Sequence, residues 1–419
     1  MSKSVDQEIG KRSVRSALAV PEDMSSPRAD VPPQKVSLFR RVINYYLRHY
    51  SIFVLITSLM LSIPIAIYKW QIAFQDEVSI AEDHFLFTAQ TMATAVESKL
   101  NSSIFYTKMM ANYFIAENGT VSRKNFHTAT STSIWSNPFL QAVEFAPYVT
   151  SYQQRLSWEA EGQQNYLPTF TYTEKLANGT LIVAPNETVY YAVQYAEPVA
   201  GNTAAFGYDL YSEPIRRAAI DQAIQTGGIA STARVRLVQS VIPEYGALIM
   251  MPLYVSNGSV VTGLSGTTNQ AFGIVIGVTK ISMVINAALS ELALPGNIDL
   301  FLFDMSNTPG NQYLGHYSIT PSAQYDNFTY ASAMLPSSIS GDISYAYSIN
   351  SVDRSWAVVI SARTGFIDSQ HTFVPTKLLL LGLLEPALTL IFHLSLLLLQ
   401  KIKKGSDGRS RFELSFREI

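Results

Sequence analysis

Two long apolar runs stand far apart in the hydrophobic pattern of the chain. Residues 52–68 carry no charged side chain and lie between the aromatic residues Tyr50 and Trp70, and residues 378–399 form a second run. A run of about 20 apolar residues can cross a membrane as a helix, and aromatic side chains at its ends are typical of the membrane interfaces. We therefore predict transmembrane helices at residues 51–69 and 378–399. For the first run a buried core helix is the alternative, which the presence of a second run disfavours.

The second apolar run contains an ionisable side chain and a proline, Glu385 and Pro386. An ionisable group in lipid is costly and usually marks a contact or a function. We predict that Glu385 contacts a partner helix and that Pro386 bends its own helix. A position of Glu385 near the interface, or a protonated carboxyl, is the alternative.

Between the two runs, residues 71–114 lack glycine and proline and repeat apolar side chains at helical spacing. The repeating positions are Val78, Phe85, Met92, Val96, Leu100, Ile104 and Met109. Such a stripe predicts one long helix over residues 70–115 that continues from the first membrane span. The stripe could pair with a second copy of the chain or pack on its own domain, and one helix can do both.

From residue 140 onwards, strand-like runs alternate with clusters of turn residues. The first set comprises residues 142–146, 188–195, 204–210, 235–239 and 245–254. The second set comprises residues 271–279, 298–303, 344–349 and 356–362, with a helix near 281–294. Two sets of strands with intervening helices predict an α+β fold with two lobes.

Residues 201–227 combine a turn, a strand and a capped helix in one stretch. Asn202 follows a glycine in the turn, and residues 204–210 are small and aromatic, as in a strand packed on both faces. Ser212 and Pro214 are typical of an N-cap and a first helical turn, and Gly227 is suited to end the helix in a left-handed conformation.

The stretch GNTAAFGYDLYSEPIRRAAIDQAIQTG closely resembles the signature of the CHASE domain, the extracellular sensor module of many receptor kinases, nucleotide cyclases and cyclic-di-GMP enzymes. The resemblance extends upstream to Val143–Glu159, with Pro147, Arg155, Trp158 and Glu159 in the expected order, and to Tyr195–Pro198. It extends downstream to Thr232–Leu237, Tyr245–Tyr254 and Arg354–Trp356. The similarity covers roughly residues 70–373.

This resemblance implies a long helix followed by two PAS-like lobes. The membrane-distal lobe would occupy residues 125–260, and the membrane-proximal lobe residues 265–365. In the family, the leading helix pairs with that of a second copy, so the resemblance also implies a parallel dimer. That dimer could be a homodimer, or a heterodimer with a CHASE receptor that carries an output domain.

The resemblance also implies a pocket for a small molecule or peptide in the membrane-distal lobe. Its expected ligand-binding residues are Tyr195, Glu197, Phe206, Tyr208, Tyr211, Thr232, Leu248 and Met250. Thr232 corresponds to a threonine that touches the ligand in cytokinin-binding members. Glu197 is the nearest counterpart of their adenine-binding carboxylate, with a gap of about three residues. Such pockets are mostly apolar with a few fixed polar groups.

Charged residues of the signature also have structural interpretations. Asp209 and Arg217 lie on either side of the predicted strand-to-helix turn, which favours an internal ion pair or a helix cap over a ligand contact. Arg155 and Glu159 have the spacing of a local pair on a helix. For Glu197 and Thr232 the structural and ligand-binding interpretations remain open.

Composition and charge exclude several classes of function. The net charge of −2 and a charged fraction of 15% argue against a nucleic-acid partner. Cysteine is absent, which removes disulfides, thiol catalysis and cysteine-ligated metals. The sequence shows neither a glycine-rich phosphate loop nor a nucleophile elbow, and its histidines, at 49, 84, 127, 316, 371 and 393, lack ligand spacing. We therefore expect a binding protein rather than an enzyme, without a metal or cofactor.

Basic residues and glycosylation motifs indicate the membrane topology. Lysine and arginine cluster in the disordered basic tail at residues 1–48 and in the short tail at residues 400–419. The positive-inside rule places both tails in the cytoplasm and residues 70–373 outside the cell or in a lumen. The acceptor sequons all lie between the spans, at Asn101, Asn118, Asn178, Asn186, Asn257 and Asn327.

These inferences predict a membrane receptor that binds a ligand with its sensor domain and signals as a dimer through its helices. The residues after Gln400 are too few for a kinase or cyclase domain, so we expect an output partner in trans. A ligand-sequestering decoy, a dimer-forming subunit and a truncated receptor that has lost its output domain are the alternatives.

Overall fold

Two long helices begin and end the part of the chain that the structure describes. The computed structural model describes residues 38–131, 139–176, 178–239, 244–264, 270–319, 339, 341 and 343–415. Helix α1 spans Leu38–Ala116, and the last helix, α7, spans Val374–Ser415. Helix α1 thus begins within the tail predicted to be disordered, and α7 runs on through most of the second tail. Residues 1–37 lie outside the described part.

The chain divides into two units, one formed by residues 1–68 and 378–419 and the other by residues 69–377. In the first unit, both helices contain segments long and apolar enough to cross a membrane. They touch where Gly382 meets Ala66, because a Cβ on Gly382 would lie 2.6 Å from that of Ala66. Glu385 is exposed, so its predicted partner helix stays a prediction.

The second unit begins with a lobe built on a seven-stranded antiparallel sheet. Its strands are β1 (Ala142–Pro147), β4 (Tyr195–Glu197), β5 (Ala230–Ser231), β6 (Val235–Arg236), β7 (Tyr245–Ser256), β8 (Ser259–Val261) and β9 (Gln270–Lys280). The spatial order is β4-β1-β9-β7-β5, and β6 and β8 also pair with β7. We call this sheet and the elements around it the first lobe.

Strand β9 corrects the predicted boundary between the lobes. The sequence pattern assigned residues 271–279 to the second set, but β9 pairs with β7 from end to end and with β1 over residues 273–278. Its central residues are apolar and buried, which suits the middle of the sheet. The first lobe therefore extends to Lys280.

Helices and a small hairpin cover the first lobe. They are α2 (Arg123–Ser131), α3 (Tyr152–Asn165), the hairpin of β2 (Thr173–Lys175) and β3 (Leu181–Val183), and α4 (Pro214–Thr226). Gly227 ends α4 with a φ of 67°, as predicted, whereas the N-cap is Glu213, one residue after the predicted Ser212. The predicted strand at residues 204–210 is instead a pair of 3₁₀ turns joined by short bridges.

The second lobe is a four-stranded antiparallel sheet entered through a short helix. Helix α5 (Ile281–Leu289) leads into β10 (Ile298–Asp304), β11 (Tyr313–Ile319), β12 (Ser344–Ser351) and β13 (Arg354–Ala362), and α6 (Phe366–Gln370) follows. The sheet order is β11-β10-β13-β12. The strands predicted at residues 298–303, 344–349 and 356–362 are confirmed. Together the two lobes confirm the α+β fold with two PAS-like lobes.

One hydrophobic core runs along α1 and joins the two lobes. Phe85, Met92, Val96 and Leu100 of the predicted stripe are fully buried in this core, which also includes residues of both sheets. The stripe therefore packs on its own domain. Any dimer contact would have to use the opposite face of α1.

Candidate functional site

Strand alternation places a carboxylate on the face of the first-lobe sheet that α4 covers. Val143 and Phe145 of β1 point into the core around α1, whereas Ala142 and Ala146 pack in a second core beneath α4. Glu144 lies between them and faces the α4 side, because successive side chains of a strand point to opposite faces. An acidic residue thus stands in an otherwise apolar wall.

A small cavity lies between Glu144 and α4. Its volume of about 10 Å³ is enough for roughly one water molecule. It is lined by Glu144, Val193, Ala205, Tyr208, Leu210, Arg216, Leu237, Val238, Gln239 and Leu248. We call it the inner cavity. Most of its walls are apolar, and its charged and amide side chains come from β1, α4 and the segment after β6.

Burial sets the protonation of Glu144. Its relative exposure is 1%, and one carboxylate oxygen accepts a hydrogen bond of 2.9 Å from Nε2 of Gln239. Desolvation raises the pKa of Glu144 to about 7, although the charge of Arg216 and the Gln239 hydrogen bond both act to lower it. Glu144 can therefore accept or donate a proton near neutral pH.

Arg216 closes the inner cavity from the α4 side. Its Nη1 donates to Glu213 at 3.0 Å, and its Nη2 donates to the carbonyl of Arg236 at 3.1 Å. Its guanidinium lies 5.4 Å from the ring centre of Tyr208. Nε of Arg216 is buried and finds no hydrogen-bond partner in the described part of the chain.

A larger groove lies directly outside this cavity. Its volume is about 650 Å³, within the range of small-molecule sites. The groove runs between the tip of the β2–β3 hairpin, the start of α4, the β5–β6 segment and the start of β7. Tyr208, Arg216 and Val238 line both spaces, so they form the wall between them. We call this space the outer groove.

Some of the predicted ligand-binding residues come together here. Tyr208 and Leu248 line the inner cavity, and Tyr208 also lines the outer groove. Met250 is fully buried in the core beneath α4 and lines neither space.

Thr232, Phe206 and Tyr211 lie near the cavity without lining it. The hydroxyl of Thr232 accepts a hydrogen bond from the Leu248 amide at 2.9 Å, so it holds β7, and the residue lines a separate shallow pocket. Phe206 packs on Tyr166 with ring centres 4.0 Å apart. The hydroxyl of Tyr211 donates to Asp221 at 2.9 Å.

Tyr195 and Glu197 project from the opposite face of the sheet. The hydroxyl of Tyr195 bonds Glu161 at 2.6 Å, and its ring packs in the core around α1. Glu197 is fully buried, with Oε1 2.6 Å from Nη1 of Arg123 and 3.1 Å from Nδ1 of His127. The structure therefore does not bring these two residues to the inner cavity, because the residue of β4 that faces α4 is Ala196.

The geometry gives structural contacts to Arg155, Glu159 and Asp209, while Arg217 donates to the Tyr211 carbonyl. Arg155 pairs with Glu159 at 2.9 Å one turn along α3. Asp209 accepts hydrogen bonds from the amides of Tyr191 and Tyr211, so it caps a 3₁₀ turn. Burial raises the pKa of Asp209 to about 6, which these amides partly offset.

The asparagines of the predicted glycosylation motifs are exposed wherever the structure describes them. These are Asn101, Asn118, Asn178, Asn186 and Asn257, while Asn327 lies outside the described residues. Asn178 lines the outer groove. Their use stays a prediction.

Three polar residues of the site, Glu144, Arg216 and Gln239, were missed in the sequence. Glu144 gave a usable signal, since it is a charge within the apolar strand Ala142–Pro147. The sequence signal for Arg216 was weaker. Its neighbour Arg217 is also an arginine, and the two differ only in the direction in which each points from the helix. Gln239 gave none.

Comparisons with known proteins found a family model and several relatives. Residues 119–314 match the family model described as the CHASE domain. Hybrid signal transduction histidine kinase A of Dictyostelium discoideum is 22% identical over 311 residues, which cover 72% of this chain and 14% of that protein. The chain thus spans about one seventh of the length of this relative.

Two solved structures to which this chain is similar are described as parts of chemoreceptors. The periplasmic sensory domain of the Campylobacter jejuni chemoreceptor Tlp1 is 12% identical with a TM-score of 0.39, covering 71% of this chain and 99% of that one. The ligand-binding domain of the Pseudomonas aeruginosa PAO1 amino acid chemoreceptor PctB, in complex with L-Arg, is 14% identical with a TM-score of 0.37, covering 70% and 98%. Residues 119–314, which include most of the first lobe and the start of the second, are therefore the part of this chain that is similar to the CHASE domain.

Proposed function

We propose that this protein is a membrane-anchored sensor whose first lobe binds a small organic ligand or a peptide at the inner cavity and outer groove. Both termini would lie in the cytoplasm and the lobes outside the cell or in a lumen. The bound state would then pass through α1 and α7 of a dimer to an output module. The role is recognition rather than catalysis, as in CHASE sensory domains.

The observation that carries this proposal is the buried pair of ionisable side chains at the inner cavity. A buried carboxylate with a pKa near 7 and a buried guanidinium with an unpartnered Nε are costly for the fold. Such groups concentrate at functional sites, where a ligand supplies the missing partner. Because the inner cavity holds roughly one water, a ligand would occupy the outer groove and extend one group inward.

The first test is a thermal-shift screen of the full chain in detergent against small metabolites, including amino acids and adenine derivatives. A ligand at 100 times its Kd should add about 2.7 kcal/mol of stability. We expect Glu144→Gln to abolish the shift caused by a hit, because the ligand loses its inner partner. Asp221→Asn, an exchange on α4 outside the cavity, should leave the shift unchanged. A hit equally strong in both variants would contradict this location.

The proposed dimer would use the exposed face of α1. Ile80, Phe87 and Phe105 are 66%, 71% and 63% exposed, and all three lie on the side opposite the buried stripe. Asn101 lies one turn before Phe105 on this face. A glycan at Asn101 would block pairing of α1 near Phe105. Glycosylation of Asn101 and a dimer contact at Phe105 therefore exclude each other.

The absence of cysteine makes the dimer directly testable. Phe87→Cys should give a disulfide-linked dimer of the full chain under mild oxidation. Ala93→Cys, at a fully buried position of the same helix, should not. A monomer in both variants would contradict pairing through this face.

A further inference from the structure

The outer groove has an excess of positive charge. Lys175, Arg216, Arg234 and Arg236 line it, and Glu213 is the acidic residue among its described lining residues. The chain as a whole has a net charge of −2, so this local excess departs from its overall balance. Surface lysines and arginines alone are commonly solvated charges without a ligand, and the contacts of each cation therefore decide what the groove can bind.

The contacts of Arg234 leave its charge in place. Its guanidinium donates to the carbonyl of Tyr313 and, at 2.9 Å, to Oδ1 of Asn311, and it lies 4.5 Å from the ring centre of Tyr245. These partners are uncharged. They fix the direction of the guanidinium without neutralising it, and the field it contributes to the groove persists.

Arg216 provides the buried part of this site. The residue is 4% exposed, and Glu213 and the Arg236 carbonyl occupy Nη1 and Nη2. Nε is buried without a partner in the described part of the chain. An unpaired buried N–H of a guanidinium costs free energy that an anionic acceptor would recover with a strong, charge-assisted hydrogen bond.

We propose that the outer groove binds the anionic group, a carboxylate or phosphate, of the ligand, with Arg216 and Arg236 as its main contacts. This inference rests on the proposed function and narrows the class of ligand. Glu144 repels an anion from the inner cavity, so the anionic end stays in the groove. The end that enters the cavity would carry a hydrogen-bond donor for the Glu144 carboxylate.

The test measures binding of two simple anions, pyrophosphate and citrate, to the full chain in detergent by isothermal titration calorimetry at low ionic strength. We expect binding of at least one, weakened by added salt because the contacts are partly exposed. The anion that binds more tightly identifies the ligand group as phosphate or carboxylate. Equal and salt-independent affinity, or no binding of either anion, would overturn the proposal.

Single substitutions locate the binding. Arg216→Gln should weaken anion binding at least tenfold and Arg236→Gln several-fold, whereas Arg217→Gln should have no effect. Arg217 is the matched control, since it is the next residue on α4 and its Nε donates to the Tyr211 carbonyl outside the groove. Because Arg236 is exposed, its variant should fold even if the Arg216 variant does not. Unchanged affinity in Arg236→Gln, or equal losses in Arg236→Gln and Arg217→Gln, would overturn the proposal.

Failure of this inference can be separated from failure of the proposed function. A metabolite from the thermal-shift screen whose effect requires Glu144 but is unchanged in Arg236→Gln would leave the sensor standing and refute the anionic ligand. A metabolite that requires both residues would support both.

Discussion

The carboxylate of Glu144 in the first lobe has different partners from those of Asp304 and Asp299 in the second lobe. In the second lobe, Asp304 accepts two hydrogen bonds from Arg354, at 2.6 and 3.0 Å, and Asp299 accepts one from Arg363 at 2.8 Å. In the first lobe, Glu144 has a neutral partner, Gln239, and the nearby Arg216 bonds elsewhere. Arginines thus pair with Asp304 and Asp299, as they do with Glu159 and Glu197 in the first lobe, whereas Glu144 accepts its hydrogen bond from a neutral side chain.

The segment beside the proposed ligand site is bonded to the second lobe. The lobes are linked directly, because the amide of Ser231 in β5 donates to Asp353 at 2.8 Å, and Arg234 reaches Tyr313. Both contacts start from the segment after α4, beside the proposed ligand site. A shift of that segment would therefore reach the firmly paired second lobe at two points.

The largest effect should come from breaking the charge pairing of the second lobe. Arg354→Met would leave Asp304, which is 1% exposed, as an unpaired buried carboxylate, at a cost of about 3–5 kcal/mol. Chemical denaturation of the full chain in detergent would measure this loss. Lys99→Met is the control, since its partner Glu291 is exposed and such pairs contribute about 0–1 kcal/mol. Similar losses in both variants would contradict the distinction.

The next effect concerns the pH dependence that Glu144 gives the first lobe. Its pKa is raised from 4.5 to about 7, so the folded state binds a proton more tightly than the unfolded state. Stability should therefore fall as the pH rises from about 4.5 to 7, by roughly 3 kcal/mol. Glu144→Gln should remove this part of the slope. The pKa of Asp209 is also raised, so Asp209 lowers stability with rising pH in the wild type and in the Glu144→Gln variant alike. The difference between the two curves of stability against pH therefore isolates the effect of Glu144. Identical curves of stability against pH for the wild type and Glu144→Gln would contradict a pKa of Glu144 raised by burial.

The smallest effect, of opposite sign, belongs to Asp299 in the second lobe. Burial acts to raise its pKa, but hydrogen bonds from His316, Arg363 and Ser318 prevail and hold it below its usual value of 3.8. The ionised Asp299 therefore stabilises the folded state above pH 3.8, and this stabilisation is lost as the pH falls below that value. Asp299→Asn should cost about 1–2 kcal/mol at neutral pH and flatten the acid limb of the stability curve. A steeper acid limb in the variant would contradict this.

The sequence predicted those parts of the fold that local patterns determine. The long helix, the strands β7, β10, β12 and β13 and the end of α4 at Gly227 follow from periodicity and from one residue suited to positive φ. Residues 204–210 have strand-like composition, but their amides bond to neighbouring loops and turns rather than to a full partner strand. Tertiary contacts therefore determine the conformation of residues 204–210.

The candidate site was less accessible to sequence reasoning, because it depends on which face of a strand is covered. Val193 has the same parity in the sequence as Tyr195 and Glu197, yet it lines the inner cavity whereas Tyr195 packs around α1. Strand β4 pairs with β1 through only three residues, so the sequence alone did not define which side chains face α4. Its pairing with β1 turned Tyr195 and Glu197 toward α1. The same pairing pattern turned Glu144 toward α4, which no property of the sequence Val143–Ala146 could decide alone.

Gly277 gives the sheet a mechanical property. A Cβ at this position of β9 would lie 2.1 Å from Oγ1 of Thr107, so the backbone of the central strand rests directly on α1. The neighbours of Gly277 in β9 pair with Glu144 on one side and with Leu248 and Met250 on the other. Between Thr107 and Lys69, α1 rises about 57 Å, and along this length its residues Phe85 to Leu100 pack in the core shared by both lobes. A displacement of β9 at Gly277 would therefore push directly on the helix that carries the core of both lobes.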